Sequence, residues 1–486
     1  MRARFLPPVL VALGVAGCMV GPDYARPPVD APAAFRFEPR QAAQTADTEW
    51  WRQYGDPVLD RLIADALAAN WNVKIAAANV QAAAGVVTQA RAPMFPQVGY
   101  GANAGRVRFS EVGGTAIDTY VTNPQNVYQA AFSASWELDL WGRIRRQTEA
   151  AQANLLGTEQ ARRGAILSLV ANVAGNYIQL RGLDEALAVA RKTQTAYAES
   201  LQIFRYQFQY GQVSQMNVAQ AQSQYETASA QIPLLEQQIA QLENAISVLL
   251  GRNPGPIPRG KPVSELLAPP VPAGLPSQLL ERRPDLMQAE EQLIAANAQI
   301  GAAKALYFPT ISLTGTYGGA SSDLSNLFKG PANAWSYAGS IVGPIFTAGL
   351  VSGQVAQAEA ARDAALLNYE QTIQSAFADV SNALVARQKL LEQLETQEKL
   401  VLSLQDYSRL ARLQYDGGYA PYSTILQAEQ TLFPAELSLA TLRASTAGAV
   451  ATIYKTMGGG WIDRADAMAG AGGPGVARAV APAAKP

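Results

Sequence analysis

The sequence predicts a mixed, mainly α-helical chain made of two copies of one plan, each copy a helix, a β-hairpin and a very long helical hairpin. Three observations lead there. Landmarks recur at a fixed displacement: Ala90-Arg91-Ala92-Pro93-Met94-Phe95-Pro96 answers Ala303-Lys304-Ala305-Leu306-Tyr307-Phe308-Pro309, 213 positions on, and Gly142, Arg205, Gly211 and Gly251 answer Gly349, Arg412, Gly418 and Gly458, 207 positions on. Four short segments alternate apolar and polar residues with a period of two. Two tracts, Arg143 to about Gln209 and Leu350 to about Tyr415, carry helical spacing with no internal Pro.

The elements follow in order. Arg2 and Arg4 precede an apolar run from Phe5 to Val15, the length of a secretory signal core and too short to span a bilayer as a helix. Residues 1–17 are therefore expected to be a signal peptide. The run closes in Val15-Ala16-Gly17-Cys18, which resembles a bacterial lipoprotein box, and Cys18 is the single Cys of the chain. Lipidation of Cys18 implies more than one acyl chain, palmitate among them, and a stable anchor. Met19 stands where an Asp would direct retention in the inner membrane, so the expected address is the outer membrane.

Residues 18–48, rich in Pro, Ala and Arg, read as a lipidated extended tether. The first repeat is expected over 49–251, a Pro-rich connection over 252–276, the second repeat over 277–460, and a disordered Ala/Gly/Pro-rich tail over 461–486. Helices are expected over 57–95 and 284–308, stopped by Pro96 and Pro309. In the hairpins, Tyr128, Ala130, Phe132, Ala134, Trp136, Leu138 and Leu140 alternate with polar or small residues, as do Ile311, Leu313 and Tyr317, and then Trp335, Tyr337, Ile341 and Ile345. Gly-, Asn- and Ser-rich segments from Glu111 to Asn126 and from Gly319 to Asn333 read as exposed loops. Each long tract, on the order of 100 Å if continuous, turns at Gly211 or at Gly417-Gly418 and returns to about Leu250 or Met457, with Pro233 and Pro434 inside the return.

Composition narrows the function. The 486 residues hold 38 Lys+Arg against 39 Asp+Glu, and no His. A Ser-His-Asp triad, a histidine zinc site and a histidine general base are thereby excluded, and no concentrated basic footprint exists for nucleic acid. Charged residues are only 16% of the chain, yet the mean hydropathy of -0.02 is not that of a helical membrane protein. Asp and Glu pairs such as Glu290-Glu291 read as a solvated helix face rather than as acid/base catalysts.

Without an apolar run long enough for a membrane helix, a membrane crossing requires a closed β-barrel. Four strands cannot close one alone, so several chains have to contribute, with polar faces on a water-filled lumen and Trp136, Trp335 and Tyr337 toward lipid. Alternation by itself fits the sheet of a soluble α+β protein equally well.

Whole passages decide further. Cys18-Met19-Val20-Gly21-Pro22-Asp23-Tyr24, Trp136-Glu137-Leu138-Asp139-Leu140-Trp141-Gly142-Arg143, Arg282-Arg283-Pro284-Asp285-Leu286 and Ala295-Ala296-Asn297-Ala298-Gln299-Ile300-Gly301 resemble the TolC-like outer-membrane factors, in particular the NodT/OprM-type lipoproteins of resistance-nodulation-division efflux systems. The resemblance implies a homotrimer, a 12-stranded outer-membrane β-barrel of four strands per chain continued by a long periplasmic α-helical barrel. It implies a passive exit duct for small molecules, with a periplasmic adaptor and an inner-membrane pump as partners and no cofactor beyond the lipid on Cys18. The rival readings are the outer-membrane component of type I protein secretion and a periplasmic structural lipoprotein without a pore. By the same resemblance the hairpin turns, Tyr210 to Asn217 and Asp416 to Thr424, form the periplasmic tip. Gly211 and Gly418 are the reversal points, Tyr415 matches a latch tyrosine, and Thr424, Gln427, Asn217 and Gln220 stand at gate positions where many members carry acids. None of these four is charged.

Overall fold

A computed structural model describes residues 19–32, 34–37, 48–110, 112, 122–271 and 276–470. The expected signal peptide, Cys18 and residues 471–486 lie outside the described residues. The chain divides into two compact units: Met1–Pro28, Asn79–Thr158 and Ala289–Tyr369 in one, Val29–Ala78, Glu159–Gln288 and Glu370–Pro486 in the other.

In order, the elements are α1 (Pro57–Ala69), α2 (Trp71–Arg91), β1 (Gln97–Val107), β2 (Gln125–Leu138), α3 (Arg143–Gln209), α4 (Gln215–Leu249), α5 (Pro276–Arg282), α6 (Pro284–Lys304), β3 (Thr310–Ser321), β4 (Asn333–Val342), α7 (Leu350–Asp416), α8 (Tyr422–Thr456) and α9 (Ile462–Gly470). The duplication is exact in length where it matters: α3 and α7 have 67 residues each, α4 and α8 have 35 each. Pro233 and Pro434 are both accommodated inside their helices. No helix among the described residues is long and apolar enough to cross a membrane.

The first unit holds the sheet, a four-stranded antiparallel meander in the order β1-β2-β3-β4. Pairing joins the two repeats through β2 and β3 and leaves one edge of β1 and one of β4 without a described partner strand. The strands differ from expectation at their ends. Leu140 and Ile345 fall beyond β2 and β4, while Gln125, Asn126, Gly319 to Ser321 and Asn333, expected in loops, pair as strand because the ladder runs past the last alternating side chain.

The second unit has an extensive hydrophobic core in which α1, the middle of α3 and the ends of α4 and α8 converge on Trp50, Trp51, Tyr54, Tyr454 and Trp461. Trp50 stacks on Tyr454 at 5.2 Å, and Trp51 meets Trp461 edge-on at 5.3 Å. Asp56 is fully buried; its carboxylate accepts from Val58 N, Tyr177 Oη and Lys261 N, which caps α1 and ties the Pro-rich connection to α3.

Two corrections follow. The helix expected over 57–95 breaks at Asn70, whose side-chain oxygen accepts from Val73 N and starts a new helix. The tail expected to be disordered from 461 instead forms α9 over Ile462–Gly470. Trp461, Ile462 and Ala465 share a buried face, and Arg162 and Arg163 of α3 pair with Asp466 and Asp463. Ala- and Gly-rich composition hid an i, i+3/i+4 apolar pattern.

Candidate functional site

The sheet carries two chemically opposite faces. On one, the register aligns Tyr100, Phe132, Tyr317 and Trp335 into a rung across all four strands. Their exposures run from 62% to 88%, so this aromatic rung is uncovered within the chain. Trp136, Leu313, Ile311, Ile341 and Tyr337 share its face, and Trp335 stacks on Tyr337 at 5.7 Å. The opposite face is short and polar: Gly99, Ser133, Thr316 and Ser336 form one rung, and Thr316–Ser336 and Ser312–Ser340 hydroxyl pairs bond at 2.7 Å. A one-residue slip would exchange the two faces, so this pattern fixes the register.

Below the strands a second aromatic group sits at the helix junctions. Trp141 stacks on Phe308 at 4.7 Å and donates its Nε1–H to Pro309 O, and Trp136 donates to Met94 O. From Phe308 to Tyr317 the chain advances roughly 30 Å at about 3.3 Å per residue. Tilted by about 40°, that is close to the ~25 Å apolar band of a transmembrane barrel.

The Trp136–Arg143 passage now has a structural reason. Glu137 takes three bonds from Arg143, and Asp139 accepts Ile144 N and Arg145 N, capping α3 with an anion at its positive end. Gly142, at φ 79°, makes the corner.

In the second unit the hairpin turns are nearly superposable in their bonding. Gly211 (φ 74°) and Gly418 (φ 73°) take the left-handed conformation; Gln212 N donates to Gln207 O and Tyr419 N to Gln414 O, each at 2.8 Å. Tyr415 packs edge-on against Tyr422 at 5.7 Å, and Tyr422 tilts onto Phe204 at 3.9 Å, within a cluster that includes Leu201, Ile425 and Leu426. Of the expected gate residues, Asn217, Gln220 and Thr424 are half-buried and Gln427 is exposed. Asn217 Oδ1 accepts from Ser214 Oγ at the start of α4.

The structure adds a carboxylate that sequence reasoning missed. Glu429, only 8% exposed, accepts a 3.0 Å bond from Arg412 Nη2. Burial pushes its carboxyl above the usual range, and Arg412 opposes that rise. Its counterpart 207 positions earlier is neutral: Arg205 donates to Gln222 Oε1 at 2.6 Å. The signal was available, since Tyr422, Ile425, Leu426 and Glu429 fall at i, i+3, i+4 and i+7 of one helix face.

The segment expected to be a tether is also more than that. Val20 N donates to Trp141 O, and the buried Arg146 reaches Val20 O, Gly21 O and Asp23 Oδ1. Asn297 donates to Pro22 O, while Glu290 accepts from both Tyr24 and Arg26. Val20 to Arg26 thus form a strap docked on α3 and α6 in the first unit. No cluster of metal-ligating residues occurs among the described residues.

Known proteins resemble the chain throughout. The pattern of the family described as "Outer membrane efflux protein" matches residues 62–252 and 275–459. The chain is 37% identical over 478 residues to the toluene efflux pump outer membrane protein TtgC of Pseudomonas putida, covering 96% of this chain and 97% of that one. It is 35% identical over 460 residues to the cation efflux system protein CusC of Escherichia coli, covering 93% and 98%. Among solved structures, the open state of the Neisseria gonorrhoeae MtrE outer membrane channel matches with a TM-score of 0.83 at 32% identity, over 91% of this chain and 99% of that one.

Proposed function

The chain belongs to the outer membrane efflux protein family, and from that premise we propose that three copies close into one passive exit duct for small molecules, fed by a periplasmic adaptor and an inner-membrane resistance-nodulation-division pump. The family is one of channels in the outer membrane, not of enzymes. The observation that carries the reading is the sheet: two edges without a partner strand among the described residues, an uncovered aromatic face and an opposite face of Ser, Thr and Gly. Free edges cannot face lipid, and twelve strands from three chains remove them. The aromatic face then meets acyl chains and the hydroxyl-lined face meets water.

Transport through such a pore needs no chemistry from the wall, so we assign the chain no catalytic role and no cofactor beyond a lipid on Cys18. Direction and energy come from the pump. The tip regulates passage: Gly211, Gly418, Tyr415, Thr424, Gln427, Asn217 and Gln220 lie at or beside the turns, and rearrangement of the Tyr415–Tyr422–Phe204 packing changes how closely neighbouring helices approach. In this reading Cys18 anchors the chain to the inner leaflet of the outer membrane.

The test is direct. Purified protein should migrate as a heat-modifiable trimer and give discrete single-channel conductance in planar bilayers. A folded protein that leaves bilayers silent is a periplasmic bridge and not a duct.

A further inference from the structure

The duplication reaches into the ladders of the sheet. In the first hairpin Gln97 pairs with Ser135 and Tyr100 with Phe132. Carried 213 positions on for β1 and 207 for β2, the displacements of the sequence repeat, these become Thr310 with Val342 and Leu313 with Gly339. Both are pairs of the second hairpin. The repeat therefore reproduces the register of β3 and β4 residue for residue.

The seam between the hairpins, β2 against β3, has a counterpart too. By the same displacements β2 becomes β4 and β3 becomes β1, the two strands whose outer edges have no partner among the described residues. These edges are long: β1 has 11 residues and β4 has 10. Neither strand contains Pro, and Arg106 is the one charged residue in either. Sheets that end in water blunt their edges with Pro, bulges or inward charges. These two edges are left open to pairing.

We propose that β4 of each copy pairs antiparallel with β1 of the next copy in the register of the β2–β3 seam. Ser135–Thr314, Ala134–Gly315, Ser133–Thr316 and Ala130–Gly319 within the chain become Val342, Ile341, Ser340 and Tyr337 against Gly101, Ala102, Asn103 and Arg106 of the next copy. The inference rests on the channel reading, which supplies the second copy, and adds the register to it. Two observations that played no part in deriving this register agree with it. The faces match: Ala102 lies on the aromatic face with Tyr100, and Ile341 on that face with Trp335, whereas Asn103 and Ser340 lie on the hydroxyl face. A one-residue slip would set each apolar residue against the wrong face. The chemistry matches as well. Arg106, on the aromatic face, gives Nη1 to Asn126 Oδ1 and has four further N–H donors in its guanidinium, and it meets Tyr337, which is stacked on Trp335 and uncovered within the chain. A guanidinium against an aromatic ring is attractive.

The test is disulfide trapping of the full-length chain in outer membranes. Two adjacent pairs are made, Asn103→Cys with Ser340→Cys and Ala102→Cys with Ile341→Cys, because neighbouring rungs of an antiparallel ladder alternate between narrow and wide spacing and one of the two is narrow. Asn103→Cys with Ala338→Cys or with Val342→Cys reports a slip of two residues, and each single variant sets the background from Cys18. After oxidation with copper phenanthroline, at least one proposed pair should give covalent trimer on non-reducing gels about fivefold faster than either slipped pair. Opposite Cβ atoms lie about 5 Å apart and diagonal ones about 7–8 Å, against roughly 4 Å in a disulfide. Faster trapping of a slipped pair, or no cross-link between copies at either proposed pair, overturns the register. Conductance of the parent protein separates the two readings: a conducting protein whose proposed pairs fail loses only this inference, and a silent one loses the duct as well.

Discussion

Arg412→Ala should loosen the second hairpin and leave the first untouched. Glu429 is 8% exposed and its charge is met by Arg412 Nη2 at 3.0 Å. Deleting a hydrogen bond to a charged group costs about 1.5–3 kcal/mol when it strands the partner. The Arg412 side chain is 54% exposed, so water partly replaces it and the expected loss falls to about 1–2 kcal/mol. That corresponds to a factor of roughly 5–30 in local opening. Hydrogen exchange at pH 7.5, corrected for intrinsic rates, should report it in peptides covering 405–430 and in the packed stretch 197–208. The sign with pH is fixed. Burial already holds Glu429 above its ordinary value, and removing Arg412 raises it further. A raised carboxyl contributes stability that is complete below its unfolded pKa and lost as pH rises through the folded one. The deficit of Arg412→Ala should therefore shrink on acidification. Arg412→Ala with Glu429→Gln should recover most of the protection. Arg205→Ala, which loses only a neutral glutamine partner, should cost at most about 0.5 kcal/mol with no pH dependence. Unchanged exchange in Arg412→Ala, a deficit that ignores pH, or failure of the glutamine rescue refutes the reasoning.

Tyr415→Ala removes the edge-on contact with Tyr422, worth about 0.5–1.5 kcal/mol, and should raise single-channel conductance or open time in bilayers; an identical trace denies the latch. Globomycin should make the unprocessed precursor accumulate, and Cys18→Ser should abolish incorporation of labelled palmitate. Gly301→Ala places a Cβ 2.6 Å from Val20 O and 2.9 Å from Arg146 Cγ; the strap should come off at a cost of about 1–3 kcal/mol, read as new protease cleavage between residues 19 and 26. Glu291, pushed up to about 7 by burial and then by the Glu290 charge, should favour folding below about pH 4.5 and lose that contribution as pH passes 7. Glu291→Gln should accordingly stabilise the fold more at pH 8 than at pH 5, by about 1 kcal/mol after discounting its partial exposure, read from denaturant or thermal melts at the two pH values.

What could be read from the sequence was whatever local periodicity or duplication encodes. The long helices, both glycine reversals and the two-faced strands needed only spacing, because a helix or strand must bury one face and the chain writes that face at a fixed period. The helix at Ile462–Gly470 was lost to composition: Trp461, Ile462 and Ala465 are few among alanines and glycines, yet Trp461 meets both Trp50 and Trp51 edge-on, at 6.2 and 5.3 Å. The strap was illegible for another reason. Val20 to Arg26 have no period of their own, and they are held by Arg146, Glu290 and Asn297, more than a hundred positions away.

Glu429 shows where reasoning from matched positions stops short. The resemblance places the gate at Thr424 and Gln427 and at their counterparts Asn217 and Gln220, all uncharged. The two turns share their left-handed glycine and their main capping bonds, the second adding one from Ala420 N to Gln414 O, and the arginines at 205 and 412 stand at matched positions. With the turns so alike, side chains that break the repeat are the main source of any difference in how the two hairpins respond. Gln222 against Glu429 is such a break: the same arginine meets an amide in one copy and a buried carboxylate in the other. An amide holds its partner equally at any pH and is indifferent to salt; a buried carboxylate depends on its cation and charges the hairpin a desolvation cost whenever that cation moves. The second hairpin thus carries a contact sensitive to pH and salt that the first hairpin's Arg205–Gln222 bond does not reproduce.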